Sequence, residues 1–185
     1  MDAESIVQSG VGELLDAYRA GRCDPVTALE AYLARIDALD PTLNAICTLA
    51  PDGLDRAKES AARWAEGTAR PLEGVPVLVK DNIETGGLRT TYGSRLFADN
   101  VPAQDAVLVA RLRAAGAIVV GKANTPEFAA DINTSNAVFG QTRNPWDVNR
   151  TPGGSSGGTG AGVAAGYAPV GIGTDLGGSI RIPAA

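Results

Sequence analysis

The sequence predicts an α/β fold, a mixed β-sheet core covered by helices on both faces, and three observations carry that prediction. Helix-like and strand-like segments alternate along the chain. The strand-like segments at residues 75–79, 117–120 and 170–173 are short, continuous apolar runs, the pattern of strands covered on both faces. Hydrophobic residues make up 44% of the 185 positions, enough to bury one substantial core, while a mean hydropathy of 0.00 suits a globular chain.

The elements follow in order. Residues 11–20 and 26–39 read as helices, the second with Asp24 at its N-cap, Pro25 at its first position, Leu29, Tyr32, Leu33 and Ile36 on one face, and Pro41 beyond its end. Residues 43–49 are a candidate strand, and residues 54–66 a third helix stopped by Gly67. The strand at 75–79 carries Pro76 near its start, where a missing ladder donor is tolerated. A helix at 104–115 places Leu108, Leu112 and Ala115 on one stripe, Gly116 ends it, and a strand at 117–120 follows. The alanines, glycines and valine of 156–167 read as a tightly packed helix, leading into the strand at 170–173 and a further helix near Ser179. No internal repeat, low-complexity tail or second domain interrupts this order.

Chemistry concentrates in T-P-G-G-S-S-G-G and T-D-L-G-G-S-I-R. Each sets a serine, Ser155 or Ser179, in a glycine-rich turn where backbone amides can approach a substrate closely. The chain has no histidine, which excludes a Ser-His-Asp arrangement, so another base is required. Lys80 closes the apolar strand at 75–79; burial there disfavours the ammonium and leaves a neutral amine able to accept a proton near pH 7. Taken singly, such a lysine is most often a solvated charge and such a serine a turn former.

The order of V-P-V-L-V-K-D-N, G-K-A-N-T-P-E-F, G-G-S-S-G-G and T-D-L-G-G-S-I-R resembles the amidase signature hydrolases, with 75 positions between Lys80 and Ser155 and 24 between Ser155 and Ser179. The resemblance implies a Ser-cisSer-Lys triad: Ser179 the nucleophile that forms an acyl-enzyme, Ser155 the bridging serine after a cis peptide bond from Gly154, and Lys80 the terminal base. It also implies that residues 1–185 form the N-terminal portion of a single amidase-signature-type catalytic domain whose remainder is absent, since members of this family continue well past the nucleophile.

The same chemistry follows from the residues. Ser179 must lose its proton as it attacks an amide; Ser155 takes it while passing its own to Lys80, and the reverse relay protonates the leaving amine. The backbone N–H groups of Leu176, Gly177, Gly178 and Ser179 are the expected donors to the oxyanion. Ser156 either holds the triad through its hydroxyl or caps the helix that follows. Asp175 and Arg181 read as a local ion pair supporting the loop, and Asn124, Glu127 and Phe128 as scaffold at the start of a short helix.

Other classes fit less well. The glycine run lacks the G-K-[ST] of a phosphate-binding loop, and Gly160, Gly162 and Gly166 miss the dinucleotide spacing by one residue. Sixteen basic residues against 21 acidic, without a basic cluster, give no footprint for direct nucleic-acid or membrane binding. Cys23 and Cys47 form no metal-type pair, and without histidine a Cys/His zinc site is excluded; they read as reduced thiols. A polar N-terminus that matches neither a secretory signal nor a transit peptide, and no apolar run of about 20 residues, predict a cytoplasmic protein. The sequence therefore predicts an amidase acting on a small-molecule linear amide, with no metal and no cofactor, as a homodimer or with partner subunits. Two alternatives stand beside it: the glutaminase (A-type) subunit of a tRNA-dependent amidotransferase, and a non-catalytic chain retaining the motifs.

Overall fold

The computed structural model describes residues 1–185. A four-stranded sheet, formed by β1 (Ile46–Leu49), β2 (Pro76–Lys80), β3 (Ile118–Ala123) and β6 (Val170–Ile172), runs in the order β1-β3-β2-β6. β1 is antiparallel to β3, whereas β3, β2 and β6 are mutually parallel, so the sheet is mixed as the sequence predicts. A separate two-residue ladder pairs β4 (Ser135–Asn136) with β5 (Gly140–Gln141).

Alternation along the strands sorts the core into two layers. Leu78 of β2 and Ile118 and Val120 of β3 pack with Leu29 and Ile36 of α3 (Pro25–Leu43), Ala57 of α4 (Gly53–Ala65) and Ala161 of α6 (Gly157–Ala164). Val77, Val79 and Val119 face the opposite side and pack with Val109 of α5 (Val107–Ala114) and with Val11 and Leu15 of α2 (Val11–Arg19). Lys80 has the parity of Leu78 and so faces the α6 side.

A register irregularity between β2 and β3, where Val77 pairs Val119 but Leu78 pairs Gly121, reverses this parity for the end of β3. Lys122 consequently turns toward Ile83 and Thr85, away from Lys80. Gly121 is required there, because a Cβ would stand 2.5 Å from the Thr48 carbonyl oxygen of β1.

Three expectations are corrected. The helix expected to end before Pro41 continues through it to Leu43: Asn44 closes it in the left-handed region (φ 51°), and the Asp40 carboxylate accepts from the N–H of Ala45 at 2.8 Å. Leu43 is thereby buried as helix, and β1 is confined to Ile46–Leu49 rather than 43–49. The fifth helix begins at Val107 rather than 104, and it buries Val109, leaving Leu108 43% exposed; four successive apolar residues, 107–110, make the inward face ambiguous in sequence. A short helix α1 (Ala3–Gln8), capped by Asp2, has no counterpart among the expected elements; Tyr32 donates to the carbonyl of its Ile6 at 2.9 Å and ties it to α3.

Candidate active site

Lys80 is fully buried at the C-terminal end of β2. No carboxylate lies within ion-pair distance, so burial lowers its pKa from the ordinary 10.5 to about 8, with the Asp175 charge opposing that shift. Its Nζ has two partners, Ser155 Oγ at 2.7 Å and Thr174 Oγ1 at 2.9 Å. The lysine thus reaches the serine turn from the neighbouring layer and the end of β6 from the neighbouring strand.

The turn carrying Ser155 is held from several sides. Its Gly154–Ser155 peptide bond is cis, as the family resemblance implies, and Gly153 adopts φ +80°. Gly154 lies against the backbone of Ile132, where a Cβ would meet a carbonyl carbon at 2.6 Å. Thr134 Oγ1 donates to the carbonyl of Gly153 (2.9 Å) and accepts from the N–H of Gly157 (3.1 Å), while Thr125 Oγ1 donates to the Ser155 carbonyl (3.0 Å). Ser155 and Ser156 are both buried.

Ser156 occupies the N-cap position of α6 but makes no side-chain cap. Its hydroxyl donates to the Thr174 carbonyl at 3.3 Å and its N–H to the Ser179 carbonyl at 3.0 Å. It therefore fastens the two serine turns together, through backbone as well as hydroxyl, rather than capping the helix. The structure brings Lys80, Ser155, Ser156 and the Ser179 backbone into one site. The Ser179 hydroxyl itself is half-buried and makes no hydrogen bond, to Ser155 or to any other group.

Asp175 organises the last loop. Its carboxylate accepts from the N–H groups of Gly178 (2.7 Å), Ile180 (3.1 Å) and Arg181 (3.2 Å), and pairs with the Arg181 guanidinium at 2.9 and 3.0 Å. These donors, the guanidinium foremost, hold its pKa well below the usual carboxylate range. The local ion pair expected from sequence is present. The expected set of oxyanion donors needs one correction: Gly178 gives its N–H to Asp175, leaving Leu176, Gly177 and Ser179 with N–H groups that have no acceptor in the protein. Leu176 is fully exposed, and a Cβ on Gly177 would meet only open space.

Asn124 acts as scaffold. Its amide donates to Thr142 Oγ1 at 3.0 Å, and its Oδ1 accepts from Asn136 Nδ2 at 2.7 Å. Glu127 accepts from Ser94 Oγ at 2.7 Å, and Glu127 and Phe128 begin a three-residue 3₁₀ turn.

Three groups escape a reading of the sequence. Thr174 and Asn82 join Lys80, with Asn82 Nδ2 donating to Thr174 Oγ1 at 3.0 Å; both stand inside the matched motifs, but only the pairing of β2 with β6 brings them together. Lys122, within G-K-A-N-T-P-E-F, is a second fully buried lysine whose Nζ donates to the Ile83 carbonyl and to Thr85 Oγ1 (2.9 Å). Burial lowers its pKa to about 8, against the charge of Asp81. No grouping of His, Cys, Asp and Glu is arranged to hold a metal ion. A cavity of about 640 Å³ between α1, α3 and Trp146 has none of the site residues in its lining.

Comparison with known proteins agrees with this geometry. The family model described as Amidase matches residues 27–185. The chain is 48% identical over 179 residues to the A-type subunit of glutamyl-tRNA(Gln) amidotransferase from Roseiflexus sp. (strain RS-1), covering 96% of this chain and 37% of that protein. It is 50% identical over 171 residues to the corresponding subunit from Symbiobacterium thermophilum, covering 91% of this chain and 35% of that protein. Among solved structures, the peptide amidase from Stenotrophomonas maltophilia superposes with a TM-score of 0.92 at 43% identity, over 96% of this chain and 38% of its own. A 6-aminohexanoate cyclic dimer hydrolase superposes at 0.86 and 35% identity, over 96% of this chain and 36% of its own. The chain thus spans little more than a third of the length of the relatives it matches. A match over six-sevenths of the chain, with the lysine and the two serine turns in one place, establishes that this chain belongs to the amidase family, the enzymes that carry the amidase signature.

Proposed function

We propose that the protein carrying this chain cleaves a carboxylic amide through a serine acyl-enzyme, with Ser179 as nucleophile, Ser155 as bridge and Lys80 as base. The observation that carries the reading is the 2.7 Å contact between a buried, carboxylate-free Lys80 and the buried Ser155. Neutral Lys80 accepts the Ser155 proton as Ser155 accepts that of Ser179, and the Ser179 oxygen adds to the carbonyl carbon. The oxyanion is met by the N–H groups of Leu176, Gly177 and Ser179. The C–N bond then breaks as the relay returns a proton to the departing ammonia or amine, and water, activated by the same relay, releases the acid. Residues 1–185 are in this reading the N-terminal portion of one catalytic domain.

A second reading within the same chemistry is favoured by the relatives of 45–50% identity, which are named as A-type subunits of glutamyl-tRNA(Gln) amidotransferases. Here the amide is glutamine and the ammonia passes to partner subunits. The peptide amidase likeness, at 43% identity, supports a free-standing amidase instead. No helix is long and apolar enough to cross a membrane. The two cysteines are unpaired, which supports a reducing, cytoplasmic setting.

Ammonia release separates the readings. The protein expressed from its gene, purified with whatever binds it, is assayed on glutamine and on simple peptide and carboxylic amides. Turnover of the simple amides by the isolated protein supports a free-standing amidase. Glutamine turnover dependent on co-purifying subunits supports the amidotransferase reading, and no ammonia from any amide in either state contradicts both.

A further inference from the structure

Lys80 has two partners, and only one of them belongs to the relay. Thr174 Oγ1 stands 2.9 Å from Lys80 Nζ and 3.0 Å from Asn82 Nδ2, between two donors. A hydroxyl has two lone pairs and one proton. The Lys80 ammonium has three N–H bonds and no lone pair, so toward it Thr174 can only accept, as it does from the Asn82 amide.

That polarity matters for a neutral amine, which has two N–H bonds and a single lone pair. If Thr174 instead donated to the lysine, it would occupy the lone pair that must receive a proton. By accepting a Lys80 N–H, it leaves the lone pair free to face the remaining partner, Ser155 Oγ, at 2.7 Å. We propose that Thr174, held by Asn82, keeps this accepting polarity when Lys80 is neutral and is a positioning residue that aims the Lys80 lone pair at Ser155, an inference that rests on the proposed relay. Both residues follow from the fold: Thr174 comes directly after the end of β6, Asn82 two residues after Lys80, and the parallel pairing of those strands sets them side by side.

The test uses the protein expressed from its gene, with Thr174→Val, Thr174→Ser and Asn82→Ala. Two quantities are read: kcat and KM for the preferred amide across pH 6–10, and the titration midpoint of the Lys80 ammonium by NMR of selectively labelled lysine, identified with Lys80→Arg. Thr174→Val should lower the plateau kcat roughly 10- to 100-fold, the range expected for a misaimed catalytic group, with KM nearly unchanged. It should also move the Lys80 midpoint to lower pH, because the ammonium loses a charge-assisted acceptor. Thr174→Ser, which keeps the oxygen, should restore rate and midpoint, and should do so even where the valine variant fails to fold. Asn82→Ala should lower kcat with a smaller midpoint shift.

A Lys80 midpoint unmoved in Thr174→Val, or a serine variant as impaired as the valine one, overturns the assignment. The midpoint is measured without turnover, so the two levels separate. A wild-type protein that hydrolyses no amide contradicts the relay itself, whereas normal wild-type turnover with an insensitive Thr174→Val variant contradicts only the positioning role.

Discussion

Raising the pH from 6 to 10 changes the protonation of the one group on which the proposed relay depends. Burial places the Lys80 pKa at about 8. At pH 7 the neutral fraction is then roughly one-tenth, at pH 8 about one-half, and above pH 9 nearly complete, as single-site titration requires. If neutral Lys80 is the base, kcat/KM should climb about tenfold between pH 7 and its plateau, with a midpoint near 8. An ordinary lysine, at about 10.4, would give a rate still rising roughly tenfold per unit at pH 9. Initial rates of ammonia or amine release at substrate concentrations below KM measure this directly. Lys80→Arg should abolish turnover at every pH, because the guanidinium does not deprotonate in this range. A rate that stays flat or falls between pH 6.5 and 8.5 would refute the reasoning, as would a Lys80→Arg variant with near-normal activity.

Three further outcomes follow from the same geometry. Asp175→Ala removes the acceptor of three backbone N–H groups around Ser179 and should lower turnover roughly 10- to 100-fold, the scale of a misplaced reacting group, with Tm little changed; equal loss of stability and activity would make its role merely structural. Gly158→Ala would set a Cβ 2.3 Å from the Asn124 backbone nitrogen, and overpacking of this kind should cost about 1–3 kcal/mol or more, read as a lowered Tm; an unchanged Tm would show that α6 can withdraw from Asn124. Between pH 8 and 10.5 unfolded Lys122 is protonated while folded Lys122 is largely neutral, so the unfolded state holds more protons and stability rises with pH, by up to about 3 kcal/mol for this group. Lys80 contributes with the same sign, so Lys122→Met should reduce the slope between pH 8 and 10 in urea titrations without removing it; identical slopes in both proteins would contradict a lowered Lys122 pKa.

How much of the fold and site is legible in the sequence can be followed residue by residue. The strand ending in Lys80 is legible because an apolar run with a lysine at its end has few other readings, and the Asp24–Pro25 helix start is legible because its cap is local. The two serine turns are recognisable by their glycines, whose need here is steric: Gly154 lies against Ile132, and Gly178 adopts φ +119°. What the sequence hides depends on contacts between distant segments. The burial of Leu43 overrides the stop signal of Pro41, and the choice of Val109 over Leu108 is made by the sheet beneath α5. The partnership of Thr174 with Asn82 spans 92 positions and exists only because β6 docks beside β2. Lys122 faces its own side of the sheet because of one register irregularity near Gly121, which no local pattern announces.

The central claim is that Ser179 carries the covalent chemistry, and reaction with a fluorophosphonate followed by peptide mass mapping tests it most directly. In the protein expressed from its gene, the adduct should lie on the peptide containing Ser179, should be lost in Ser179→Ala, and should form far more slowly in Lys80→Ala, since both serines depend on that base to shed a proton. An adduct on Ser155 or Ser156 with Ser179 unmodified, or labelling of Ser179 that is indifferent to Lys80, would contradict the account.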